Sequence, residues 1–137
     1  MAGYSGTPLP QKLGIKAGTR VIVINAPANY RILLGKLPDD VEFANQLDAN
    51  PRFVHLFVTQ RRELEKRLPQ LRKRLCDDGT LWISWPKKSV NVPTDVTEDV
   101  IRAVALPLGL VDVKVCAVSE IWSGLKLMIR REQRGAK

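Results

Sequence analysis

Val21, Ile22, Val23 and Ile24 stand side by side with no polar residue between them, a pattern that suits a strand covered on both faces. Residues 19–25 are therefore predicted as a first, interior strand. FVHLFV at 53–58 and LWISW at 81–85 are just as continuously apolar and predict two more, the earlier one entered through the turn signal Asn50-Pro51. A weaker strand is expected at 39–44, after Pro38-Asp39-Asp40, with a short helix at 30–37 before it. From Thr59 the pattern changes period. Leu64, Leu68, Leu71 and Leu75 recur at four, three and four residues, which places them on one stripe of a helix facing the sheet. Pro69 predicts a kink or break in that helix, and Asp78-Gly79 its end. Asp95 is expected to cap a further helix at 96–108, with Glu98 supporting its first turn. At 111–118, Val111, Val113, Val115 and Ala117 alternate with Asp112, Lys114 and Cys116. With a turn at Ser119-Glu120 and a last strand at 121–130, this predicts an antiparallel hairpin.

The order β-α-β-β-α-β-α-β-β predicts one α/β domain over residues 1–137: a three-layer, Rossmann-like sandwich whose mostly parallel sheet ends in that hairpin. Residues 1–18 form an N-terminal arm and 131–137 a basic tail. At 137 residues, such a domain buries roughly two-thirds of the surface its unfolded chain exposes. No run approaches the roughly 20 apolar residues that span a bilayer, and residues 1–12 lack the apolar stretch of a signal peptide. A cytoplasmic protein with no membrane partner is expected. Cys76 and Cys116 are then expected to be buried free thiols, and His55, the single histidine, has no Cys/His cluster that would make a metal site.

LGIKAGTRVIVIN (13–25) resembles the segment that opens class I S-adenosylmethionine-dependent methyltransferases. LPQLRKRLCDDGTLWIS (68–84) is similar to that family's helix, acidic-Gly turn and following strand, and the hairpin after VDVKVCAV (111–118) to its antiparallel end. The resemblance implies a methyltransferase-like fold over most of the chain. It also implies a Gly-rich cofactor turn after the first strand, because the cofactor approaches bare backbone there, and an acidic residue at the end of the second strand for the ribose hydroxyls. Here the turn reads Asn25-Ala26-Pro27-Ala28-Asn29-Tyr30, without glycine, and the ribose positions are Ala44 and Asn45. YSGTPLPQKLGIKAG (4–18), SWPKK (84–88), VPTDVTEDVIR (92–102), GLVDVKVCAV (109–118) and WSGLKLMIR (122–130) are also similar to a family of small, largely actinobacterial proteins known only as a domain of unknown function.

In open α/β sheets ligands bind beyond the carboxyl ends of the strands, where the crossover direction reverses. That rim collects Asn25, Pro27, Asn29 and Tyr30 after the first strand, Thr59 and Arg61 after the third, and Trp85, Lys87 and Lys88 after the fourth. The two lysines are expected either to hold a phosphate or carboxylate or to solvate the start of a loop. Trp82 and Trp85, three apart, point to opposite faces, with Trp82 in the core. Trp122 is expected to be partly exposed, as a cap on the sheet edge or a self-association surface. His55 is expected to be a hydrogen-bonded structural residue; neither Ser84 nor Ser123 lies in the G-x-S-x-G elbow of a hydrolase. Asp39-Asp40 and Asp77-Asp78 suit turns.

The formal charge is +8, from 22 Lys and Arg against 14 Asp and Glu, which makes anionic partners plausible. The helix at 61–75 carries seven basic and two acidic residues, so Arg61, Arg62, Lys66, Arg67, Arg72, Lys73 and Arg74 form a basic ridge. No DNA- or RNA-binding motif or interleaved aromatic accompanies it. The reading these features favour is a non-catalytic, methyltransferase-like module that binds a small anion or a protein partner, with no cofactor and no metal. One alternative is a divergent methyltransferase that uses S-adenosylmethionine (SAM). The other is a basic nucleic-acid accessory protein gripping through Arg72, Lys73 and Arg74, with affinity falling steeply as salt is added.

Overall fold

A computed structural model describes residues 7–47 and 50–135. In chain order these form α1 (Leu9–Leu13), β1 (Arg20–Ile24), α2 (Tyr30–Leu34), β2 (Glu42–Ala44), β3 (Phe53–Phe57), α3 (Arg61–Arg74), β4 (Thr80–Pro86), α4 (Glu98–Ala105), β5 (Leu110–Ala117) and β6 (Trp122–Ile129). A single six-stranded sheet runs β2-β1-β3-β4-β6-β5. β2, β1, β3 and β4 are parallel, and β6 inserts antiparallel between β4 and β5. The chain moves from β1 outward to β2 and then returns past β1 to β3, so the crossover direction reverses between β1 and β3.

The continuous apolar runs behave as the pattern requires, because both sheet faces are covered. Ile22, Ile24, Val54, Leu56, Leu81 and Ile83 pack against α3 and α4, and Val21, Val23, Phe53, Phe57 and Trp82 against α1 and α2. Trp82 and Trp85 do point to opposite faces, Trp82 into the α1–α2 layer and Trp85 into the α3–α4 layer. The N-terminal arm is fixed to the sheet by Trp82, whose indole donates to the Leu13 carbonyl at 2.9 Å.

Several local expectations are corrected. α3 runs through Pro69 without a break. Leu64, Leu68 and Leu71 are buried on both sides of the proline, while its own turn is solvent-facing, so water can satisfy the carbonyl left without a donor. The helix also ends earlier than Asp78-Gly79. Leu75 turns out of it and the Cys76 amide donates to the Pro51 carbonyl at 3.0 Å, which draws the chain toward the start of β3. Gly79 answers to crowding: a Cβ there would lie 2.7 Å from Leu75 Cδ1.

Asp95 does not cap α4; Thr97 does, its hydroxyl accepting from the Val100 amide, and α4 gives way at Leu106 to a 3-10 turn that ends at Gly109. Asp95 instead accepts from the Arg61 amide at 2.6 Å and so caps α3 from across the loop. Asp95→Ala is expected to cost about 1 kcal/mol, read as a lower urea midpoint with an unchanged m-value.

β5 forms one edge of the sheet. Its pairing with β6 slips between Asp112 and Lys114, so Val113 bulges out, and Val113 and Val115 are 52% and 48% exposed. The slip breaks the strict alternation expected at 111–118. Trp122 is half-buried, but β6 is an interior strand, so it caps no edge; its ring meets Phe57 edge-on at 5.0 Å. Cys76 and Cys116 are unpaired and half-buried, and burial raises the pKa of the Cys116 thiol.

Candidate functional site

The carboxyl ends of β1, β3 and β4 meet along one rim. At the end of β1, Asn25 takes φ 61°, the left-handed conformation that a glycine would usually supply. Asparagine tolerates this conformation better than most residues, because its short side chain can hydrogen-bond locally. Its amide donates to the Phe57 carbonyl at 3.2 Å and to Glu63 at 3.0 Å, tying the turn to β3 and α3. Pro27 follows, its carbonyl accepting from the Tyr30 amide at 3.0 Å, and Asn29 precedes α2 without a side-chain cap bond. Asn45 follows β2 and is exposed.

Tyr30 does not join the rim. It is 4% exposed, and its hydroxyl meets His55 Nδ1 at 2.9 Å. His55 Nε2 in turn meets Ser84 Oγ at 2.7 Å, so three buried polar side chains from α2, β3 and β4 form one relay. The sequence reading anticipated a hydrogen-bonded His55 and missed both of its partners. The strand register places Ser84: His55 stands beside Trp82, and Ser84, two residues on, projects to the same face. Burial lowers the His55 pKa to about 3 and raises that of Tyr30. A neutral imidazole sealed from solvent, beside a serine at 0% exposure, makes no hydrolytic centre.

Thr59, at the end of β3, fastens the loop that follows β4. Its carbonyl accepts from the Thr94 hydroxyl at 2.7 Å and the Asp95 amide at 3.3 Å. At the other end of the loop the Lys87 amide donates to Ile121 at 2.8 Å. Between these anchors lies a cavity of about 690 Å³ lined by Trp85, Lys87, Lys88, Val90, Val92 and Thr97 among others. Trp85, Lys87 and Lys88 thus come together, whereas Asn25, Pro27 and Asn29 stand further along the rim, beyond Thr59. A larger groove of about 990 Å³ lies between α1 and α2 and is lined by no residue of a strand.

Arg72 is not available to a phosphate backbone. Its guanidinium donates to the Leu108 carbonyl and to Gln133, both at 2.9 Å, fixing the end of α3 to the turn after α4. Lys73 and Arg74 remain exposed, while Arg61 pairs with Glu65 and Arg67 with Glu63 along the same helix. Among the described residues no His, Cys, Asp or Glu group could hold a metal, and no helix is long and apolar enough to cross a membrane.

No family model and no curated protein matches the chain, so the similarity to the small actinobacterial proteins gains no support there. Solved structures do match. A SAM-dependent methyltransferase from Aquifex aeolicus superposes with TM-score 0.63 at 15% identity, over 88% of this chain and 87% of that one. A ribosomal protein L11 methylase from Lactobacillus delbrueckii subsp. bulgaricus gives 0.55 at 12%, over 90% and 76%. LepI in complex with SAM gives 0.55 at 11%, over 90% of this chain and 47% of LepI. The fold is the methyltransferase-like α/β sandwich. That the neighbours are SAM-dependent methyltransferases and SAM-binding proteins counts against the reading of the chain as a non-catalytic binding module. Asn25 holds the left-handed backbone at the end of β1 that a glycine would usually supply, although each residue from Asn25 to Asn29 still carries a side chain.

Proposed function

We propose that the chain is a divergent SAM-dependent methyltransferase whose cofactor lies over the carboxyl ends of β1 and β2. The observation that carries this reading is the left-handed Asn25 at the end of β1, beside the crossover reversal, in a sheet whose solved neighbours include SAM-dependent methyltransferases. Asn25, Ala26, Ala28 and Asn29 are exposed after β1 and Asn45 after β2, where the cofactor would be held, and Asn45 offers an amide to ribose hydroxyls where the family resemblance implies a carboxylate. When bound, SAM supplies an electrophilic methyl group. The chain's own part is to hold and orient. Asn25 fixes the turn through its bonds to Phe57 and Glu63, and Tyr30 locks the following helix to the sheet through His55.

Isothermal titration tests this. SAM or its demethylated product is expected to bind in the micromolar range, a free energy of about −8 kcal/mol at 1 μM. Asn25→Val is expected to weaken binding at least about tenfold, because a β-branched residue does not hold a positive φ. Absence of heat and of a thermal shift with both molecules at millimolar concentration sinks the reading.

A further inference from the structure

We propose that the cavity between the β4 loop and α4 is the acceptor side of this site, and that it takes an organic anion with an apolar body. Four lining residues carry charge: Lys87, Lys88, Glu98 and Asp99. Glu98 pairs with Arg102, which is also held by Asp112 at 2.9 Å and reaches the exposed Asp99 at 3.4 Å. Lys87 and Lys88 have no side-chain partner among the described residues. Arg102 shares its one charge among three acids, so the cavity stays balanced overall, but its charges are separated: the acids stand on the first turn of α4 beside Arg102, and the two unpartnered cations stand on the β4 loop. The rest of the wall includes Trp85, Val90 and Val92, which suit an aromatic or branched hydrocarbon body.

The cavity is also pre-formed. Its loop is pinned at Lys87 by Ile121 and at Thr94 and Asp95 by Thr59, and the Val90 amide closes a turn on the Lys87 carbonyl at 3.2 Å. An anion entering it finds the loop backbone already fixed, so only the two lysine side chains have to be ordered on binding. Thr59 connects the cavity to the end of β3 and, through Phe57, to Asn25. The acceptor assignment rests on the methyltransferase reading; the anion site rests on the cavity alone.

The test is calorimetric titration with naphthoate and with its neutral counterpart naphthylmethanol, each with and without SAM. Naphthoate is expected to bind at least about tenfold more tightly than the alcohol, and to lose about tenfold in the Lys87→Ala/Lys88→Ala variant. Lys16→Ala/Lys36→Ala, which alters the groove between α1 and α2, is expected to keep naphthoate affinity. Equal affinity for acid and alcohol, no loss in the Lys87/Lys88 variant, or loss in the Lys16/Lys36 variant overturns the proposal. Inorganic phosphate is a further arm: if it binds as tightly as naphthoate, the apolar wall plays no part and the proposed ligand class is wrong. SAM binding without naphthoate binding sinks the cavity assignment alone. Naphthoate binding without SAM binding sinks the acceptor role and the methyltransferase reading together, while the anion site stands.

Discussion

His55→Leu is expected to destabilise the fold by about 2–5 kcal/mol, because it leaves the buried Tyr30 and Ser84 hydroxyls without partners at about 1–3 kcal/mol each. Urea denaturation measures it. The control is Tyr30→Phe/His55→Leu/Ser84→Ala, in which no polar group is stranded; it should recover a large part of the loss, and a triple variant as unstable as the single one contradicts the account. The same residue sets a pH dependence. Burial lowers the His55 pKa from 6.5 to about 3, so the folded protein binds this proton less readily than the unfolded chain does. The contribution is fully present above pH 6.5 and is lost as pH falls toward 3. The slope is about 1.4 kcal/mol per unit, so the fold should be about 2 kcal/mol less stable near pH 5 than at neutrality from this group alone. The chemistry agrees with the sign. A protonated imidazole has two donors, and could be satisfied only if both Tyr30 and Ser84 turned their lone pairs toward it. His55→Leu should show no such slope between pH 5 and 6.5.

Trp82→Ala is expected to cost about 3–5 kcal/mol, the largest single loss on the α1–α2 face. The indole is fully buried, and it lies so near Gly124 that a Cβ there would come within 3.2 Å of the ring. Its N–H is also what holds the Leu13 carbonyl. The variant should therefore weaken the arm as well as the core. In hydrogen exchange, the Ile15 amide, bonded to the Pro10 carbonyl at 2.9 Å, should lose protection before amides of β3 do. Trp82→Phe keeps most of the volume and should cost about 1–3 kcal/mol, the penalty of an unpaired buried carbonyl. An arm that exchanges at the parent rate in Trp82→Ala would show that α1 docks by other means.

The layered sheet was legible because period and continuity of apolar residues follow directly from which faces are covered. LWISW reads as a strand whatever surrounds it, and the leucines of α3 define a face by themselves. Features set by residues distant in sequence were not legible. Pro69 reads as a helix breaker, and only the buried leucines on both sides of it explain why α3 continues. Asp95 sits three residues before Glu98 in a proper capping pattern, yet its carboxylate serves a helix 34 residues earlier because Thr59 draws the loop across. The rim could be placed from element order alone, and Trp85, Lys87 and Lys88 do line one cavity on it. Tyr30 was misplaced, because nothing in NAPANY tells which way the phenol turns; its direction follows from His55 lying beneath it. Arg72 likewise reads as one more surface charge until the Leu108 carbonyl is seen within its reach.

The slipped register at Val113 bears on the protein's behaviour in concentrated solution. An outermost strand with an unbroken row of amides and carbonyls offers a template on which further molecules can stack into fibres. Here that row is interrupted midway, with Lys114 beside the break, so a second molecule docking along Leu110–Ala117 would find its ladder out of phase and a charge in its path.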